Sequence, residues 1–297
     1  MYNKKLFRLP TKISAFLLIA LILFLLWHMV YLHIFQEDTA VSDPVAAEDL
    51  LHVYYIDVGQ GDSAIIQGPD FNMLIDAGES APLVTEYIEQ LEIDSFDYVV
   101  ATHPHADHIG GMAEIISAYD IDTFIMPDVT HNSKAFEDMI DALEKSDANV
   151  IEPEPGAVFT KGDIVFTILG PISDEYENLN DYSVSLILEY GNVSYMFTGD
   201  AESLYEAELI ENYDNLKADI LKAPHHGSVT SSSRAFIEAV NPQMVIISSG
   251  EDNSYGHPHD EILKLYEEMD IPVLRTDERS SIVVYTDGNE FFYGSEE

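Results

Sequence analysis

The chain has 297 residues, no cysteine, and 13 basic against 54 acidic residues, a formal net charge of −41. Without cysteine, neither disulfides nor thiolate metal ligands are available, so the fold stands on its core. The acidity leaves no basic stripe of the kind that grips a nucleic-acid backbone; it reads as surface solvation and disfavours, without forbidding, a polyanionic partner.

In chain order, residues 1–12 carry Lys4, Lys5, Arg8 and Lys12 with no acid, and residues 13–35 contain no Asp, Glu, Lys or Arg. That run is long enough to span a bilayer and longer than most signal-peptide cores. It predicts a single-pass signal anchor in the cell membrane, with the basic end cytoplasmic and the remainder outside. Cleavage at Ala46-Ala47 would make the protein secreted. Residues 36–50, acidic and small with Pro44, read as a tether, and 51–297 as one domain. Beyond the span, nine basic residues face 54 acidic ones, a net charge of −45.

Strands are predicted over 53–57, 64–67, 73–76 and 96–101, with a helix over 82–91. Gly110-Gly111 leads into a second helix through Ile115 and Ile116. A strand over 123–126 and an amphipathic helix over 133–145 follow. Strands over 163–169, 184–190 and 193–198 come next, the last two joined at Gly191-Asn192, a two-residue hairpin signal. The second half completes with a helix over 202–212, a strand over 218–222, a helix starting near Ser233, a strand over 244–248 and a helix over 260–269. This mixed order predicts an α/β fold with two sheets flanked by helices.

Thr102-His103-Pro104-His105-Ala106-Asp107-His108 concentrates three imidazoles and a carboxylate behind a predicted strand. Imidazole and carboxylate suit a borderline divalent ion such as zinc, which can bring the ionisation of a bound water near neutral pH. His103 and His105 can clamp one ion while Asp107 and His108 face a second. The position at a strand's carboxyl end is where α/β proteins place their sites.

This H-x-H-x-D-H run resembles the signature of the metallo-β-lactamase fold, an αββα sandwich whose members are mostly metal-dependent hydrolases. Leu74-Ile75-Asp76-Ala77-Gly78 resembles the motif whose Asp supports the metal loop. Phe197-Thr198-Gly199-Asp200 resembles the strand end whose Asp bridges both ions, and Ala223-Pro224-His225-His226-Gly227-Ser228 the late His motif. A finer resemblance is to the hydrolase-like domain of the competence protein ComEC and its stand-alone relatives. It rests on Asp57-Val58-Gly59-Gln60-Gly61-Asp62-Ser63, Asn180-Asp181-Tyr182-Ser183, Tyr255-Gly256-His257-Pro258-His259 and Arg275-Thr276-Asp277, spanning about residues 51–293.

The resemblance implies that His103 and His105 hold the first metal. It implies that Asp107, His108 and one of His225 and His226, with His225 favoured, hold the second, and that Asp200 lies between them. Asp76 orients the ligands. Between the metal loop and Asp200, where many members of the fold supply a further histidine to the first site, the sequence offers only His131, which reads as a surface turn residue, so Asn180, Asp181 or water would complete that site. One ion or two, and manganese in place of zinc, are both compatible with this set. Ser228 and Ser231 are candidate donors to a substrate anion, or simple helix caps. His257 and His259 are candidates for proton transfer or substrate binding.

Three functions follow. The leading one is hydrolysis of a phosphodiester by a metal-bound hydroxide, as in a nuclease or phosphodiesterase. The alternatives are a β-lactam or other amide and ester hydrolase, and a non-catalytic anchored scaffold linked to DNA uptake. One span cannot form the many-span channel of ComEC, and protein partners are not specified by the sequence.

Overall fold

Alternation of apolar residues builds the strands that carry the site. In β1 (Leu51–Tyr55), Leu51, Val53 and Tyr55 are buried on one face while His52 and Tyr54 turn to the other. The computed structural model describes residues 50–295. The predicted basic N-terminus, the 13–35 anchor and all but the last residue of the tether lie outside the described residues. Among the described residues no helix is long and apolar enough to cross a membrane.

Two mixed sheets face each other. The first has eight strands in the spatial order β15 (Phe291–Ser295), β14 (Ile282–Thr286), β1, β2 (Ala64–Gly68), β3 (Phe71–Ile75), β4 (Ser95–Val100), β5 (Asp120–Ile125) and β6 (Asn149–Ile151). The second has seven: β13 (Val273–Arg275), β12 (Met244–Ile247), β11 (Ile220–Lys222), β10 (Val193–Phe197), β9 (Ser185–Tyr190), β8 (Ile164–Gly170) and β7 (Val158–Lys161). Between them Val53, Ile66 and Met73 pack with Phe166, Leu188, Tyr195 and Ile246.

Helices close both outer faces. On the first sheet, α1 (Pro82–Gln90), α2 (Ala106–Ile109), α3 (Met112–Ala118) and α4 (Lys134–Leu143) bury Val84, Ile88, Ile109, Met112, Ile115, Phe136 and Met139. On the second, α5 (Ser203–Asn212), α6 (Arg234–Val240) and α7 (Asp260–Glu268) bury Tyr205, Leu209, Phe236, Ile237, Ile262 and Tyr266. A one-turn α8 (Thr276–Arg279) precedes β14. The result is an αββα sandwich.

Strands β3 to β6 run parallel, as do β10 to β13. The loops after β3, β4, β10, β11 and β12 carry the chemistry-bearing residues. They meet at one end of the sandwich, where parallel strands deliver their carboxyl ends.

Candidate metal centre

The centre is assembled from β3 outward. Asp76, just past β3, adopts a left-handed backbone (φ 59°) that is uncommon for a residue with a Cβ. Its carboxylate faces the loop after β4. Oδ1 accepts from Thr102 N at 2.8 Å, and Oδ2 accepts from the Thr102 hydroxyl and from His108 Nδ1, each at 2.7 Å. With its proton committed to Asp76, Thr102 Oγ1 accepts from His103 Nδ1 at 3.1 Å. In their neutral forms both imidazoles therefore present a bare Nε2 to the centre, which is the tautomer a metal requires.

The loop at 59–62 clamps the metal loop from the side. Asp62 N donates to the Asp107 carbonyl at 3.1 Å. At Gly61 (φ 141°), a Cβ would lie 2.3 Å from that same carbonyl oxygen, so only glycine allows the approach.

His108 Nε2 lies 3.3 Å from Asp200 Oδ1 and 3.9 Å from Asp107 Oδ2. His226 Nε2 lies 3.5 Å and 3.4 Å from the same two oxygens. One atom of each of these four residues lies within 4.8 Å of the others. His108 Nε2, His226 Nε2 and Asp200 Oδ1 are buried without a hydrogen-bond partner. Converging, orphaned nitrogen and carboxylate donors fit a divalent cation. On the other side, Asp200 Oδ2 lies 3.6 Å from His225 Nε2 and 3.8 Å from His103 Nε2, which is 3.0 Å from His105 Nδ1. Asp200 thus stands between two groups.

His226, rather than the favoured His225, faces Asp107 and His108. Both residues have left-handed backbones (φ 50° and 54°), and this turn separates their rings to 6.1 Å. His225 joins His103 and His105 instead. His131, read as a surface turn residue, places its ring edge-on to His105 at 5.9 Å.

Charge inside the centre is balanced by protons when no cation is bound. Burial opposes charge on His226, but Asp200, Asp62 and Asp107 lift its pKa to about 10. Burial likewise opposes charge on His108, and Asp200, Asp76 and Asp107 raise it well above the ordinary value. Burial and the neighbouring His108 push His103 well below it. Asp200 is held low against its own burial by His226, His108 and His103.

Other predicted residues take different places. Asn180 lines the site, with Nδ2 donating to Glu202 Oε1 at 3.1 Å and Oδ1 buried without a partner. Asp181 instead accepts from Glu202 N at 2.9 Å, at the start of α5, and is outside the lining. Ser231 donates to the Ala201 carbonyl at 2.8 Å, and Ser228 pairs with Thr230 at 3.1 Å; neither lines the site. The anion at the start of α6 is the chain's own Glu206, whose carboxylate accepts from Ser232 N and Ser233 N. Of the two readings of Ser228 and Ser231, these bonds place both side chains in fixing the loop before α6.

His257 lines the cavity and stacks on Tyr255 at 5.7 Å. Burial and the nearby His226 and His225 lower its pKa to about 4, so it is neutral at pH 7. His259 Nδ1 accepts from Val229 N at 3.1 Å, and this residue lies outside the lining. The cavity over the centre measures about 600 Å³ and adds Gln60, Glu79, Asn253, Ser254 and Tyr255 to the lining. Thr102, Lys222 and the side chain of Asp62 were not assigned from sequence. A lysine closing the predicted strand 218–222 was the available signal.

The fold is an αββα sandwich, and its centre gathers imidazole and carboxylate donors suited to a divalent cation. Residues 56–250 match the metallo-beta-lactamase superfamily, and the chain belongs to it. The chain is 30% identical over 247 residues to the ComE operon protein 3 of Bacillus subtilis, covering 76% of this chain and 32% of that protein. It is 26% identical to competence protein ComA of Neisseria gonorrhoeae, covering 74% and 30%. The chain spans about a third of the length of these curated relatives. Among solved structures, the metallo-beta-lactamase fold protein YhfI from Bacillus subtilis superposes with a TM-score of 0.54 at 14% identity, covering 82% of this chain and all of that one. That likeness is one of fold.

Proposed function

We propose that this chain is a phosphodiester hydrolase of the ComEC type, using zinc or manganese and held outside the cell membrane by residues 13–35. The observation that carries the reading is Asp200, whose two oxygens each face a separate group of imidazoles beneath an open cavity. Two ions held there supply Lewis acids that can stabilise both the entering and the departing oxygen of a phosphoryl transfer. His103, His105 and His225 would hold one, Asp107, His108 and His226 the other, with Asp200 shared.

Beyond the candidate ligands, the lining offers amides, an imidazole, a phenol and one acid, Glu79, rather than a cation. Among the described residues that line the cavity there is no Lys or Arg. Gln60, Asn180 and Asn253 offer amides, and neutral His257 offers one donor and one acceptor. Tyr255, 64% exposed, gives a flat surface for a planar substituent. With a net charge of −45 beyond residue 35, short phosphodiesters meet less repulsion than long polyanions. The likeness to competence proteins directs the search toward nucleic-acid fragments and nucleotides.

A panel of one chromogenic phosphodiester, one phosphomonoester and the β-lactam nitrocefin, each with zinc and with manganese, tests the reading. Preference for the diester supports it. Preference for nitrocefin replaces it with the amide-hydrolase alternative. Fractionation of cells before and after carbonate extraction tests the anchor, which predicts retention in the membrane pellet.

A further inference from the structure

Lys222 and Asp62 are buried below the imidazoles, at 4% and 5% exposure. Lys222 Nζ donates to Asp62 Oδ2 at 2.8 Å and to the Ala223 carbonyl at 3.1 Å. The second oxygen, Asp62 Oδ1, is buried without a hydrogen-bond partner and lies 3.2 Å from His226 Nδ1, whose proton goes to the Ser248 carbonyl at 3.0 Å. On the far side of the same ring, Nε2 faces Asp107 and Asp200. The backbone of Asp62 holds the Asp107 carbonyl as well. One residue therefore touches two members of the four-residue group.

Desolvating an ammonium and a carboxylate is costly, and apolar replacements of such pairs are often at least as stable, so fold stability is a poor account of this pair. Its location supplies a better one. The Ser248 carbonyl takes the outer proton of the His226 ring, and a carboxylate charge beside that same nitrogen makes the inner nitrogen a stronger ligand. Lys222 at the end of β11 keeps that carboxylate aimed, and β11 leads directly into the turn carrying His226.

We infer that the Lys222–Asp62 pair is a positioning device for the Asp107-His108-Asp200-His226 group, its carboxylate acting beside the Ser248 carbonyl to keep the His226 ring with Nε2 turned toward a divalent cation. The inference rests on the metal-centre reading. Neither residue is catalytic, since both act through His226 and Asp107.

The test is a titration of the full-length, metal-free protein with zinc alone and with manganese alone, for wild type, Asp62→Asn and the double variant Asp62→Asn/Lys222→Met. The double variant leaves no unpaired buried charge and so guards against loss of fold, which a thermal melt of the metal-free protein checks. The expected result is a 10- to 100-fold weaker binding of one ion, with the ion on the His103 side unchanged. Wild-type affinity for both ions in a folded double variant, even one of lower Tm, would assign the pair to the fold alone and overturn the inference. Failure of the wild type itself to bind any ion would instead overturn the metal-centre reading and the inference with it.

Discussion

His108 Nδ1 stands 2.7 Å from Asp76 Oδ2 in the interior, tying the end of β3 to the loop after β4. The same carboxylate takes both donors of Thr102, so one side chain fixes three groups of the metal loop. Asp76→Ala should lower affinity for the ion on the Asp107 side by about 10- to 100-fold. Removing one partner of a buried charged pair should also destabilise the metal-free protein by about 3–5 kcal/mol. Zinc titration and urea unfolding measure the two effects separately.

Metal binding should release protons. At pH 7.5 the metal-free centre holds His226, with a pKa of about 10, in its charged form, and the neighbouring carboxylates push His108 in the same direction. Both must be neutral to ligate. Calorimetry in buffers of different ionisation enthalpy should give a slope of at least one proton per fully loaded centre, and affinity should climb with pH through the neutral range. A slope near zero would mean that these imidazoles are not ligands.

How much of this was legible before the structure varied with the physics involved. The metal loop was readable because ligand chemistry constrains residue type and spacing in a short run, and the strand-end carboxylates Asp76 and Asp200 through the resemblance of their motifs to the family's. The choice between His225 and His226 was not, because it depends on two consecutive left-handed residues that no periodicity announces. Strands β6 and β7 escaped because they are short and largely solvent-facing, so they lack an apolar face. β14 had the signal, with Ile282, Val284 and Thr286 alternating inward, but the predicted elements ended at 269. The buried Lys222–Asp62 pair spans 160 residues, a separation that local reading cannot bridge.

Stability should depend on pH through Glu206. Burial raises its pKa from 4.5 to about 7, against the hydrogen bonds from Ser233 and Ser232. A carboxyl whose folded pKa is raised favours folding most at low pH. Stability is lost as pH rises from about 4.5 to about 7 and then levels, by up to about 3 kcal/mol. Urea unfolding of metal-free wild type and Glu206→Gln across this window should show that slope reduced in the variant. Equal slopes would place the titration elsewhere.

The cavity wall separates substrate contacts from scaffolding. Tyr255→Ala should raise KM for an aryl phosphodiester about fivefold, the worth of roughly 1 kcal/mol of ring stacking, with stability changed by less than about 0.5 kcal/mol. Ser231→Ala should do the reverse, costing about 1–2 kcal/mol in unfolding while leaving KM within about twofold. Steady-state kinetics beside denaturant curves for both variants decide the assignment.

The most direct measurement is turnover of bis-p-nitrophenyl phosphate by the full chain with measured zinc or manganese content, beside Asp200→Ala and the double variant Asp107→Ala/His108→Ala. Turnover should follow bound metal. It should fall by about a hundredfold or more in both variants, with Asp200→Ala depleted of both ions and the double variant of one. Full metal occupancy in the wild type with no diester turnover, or turnover that survives loss of Asp200, would contradict a two-group hydrolytic centre.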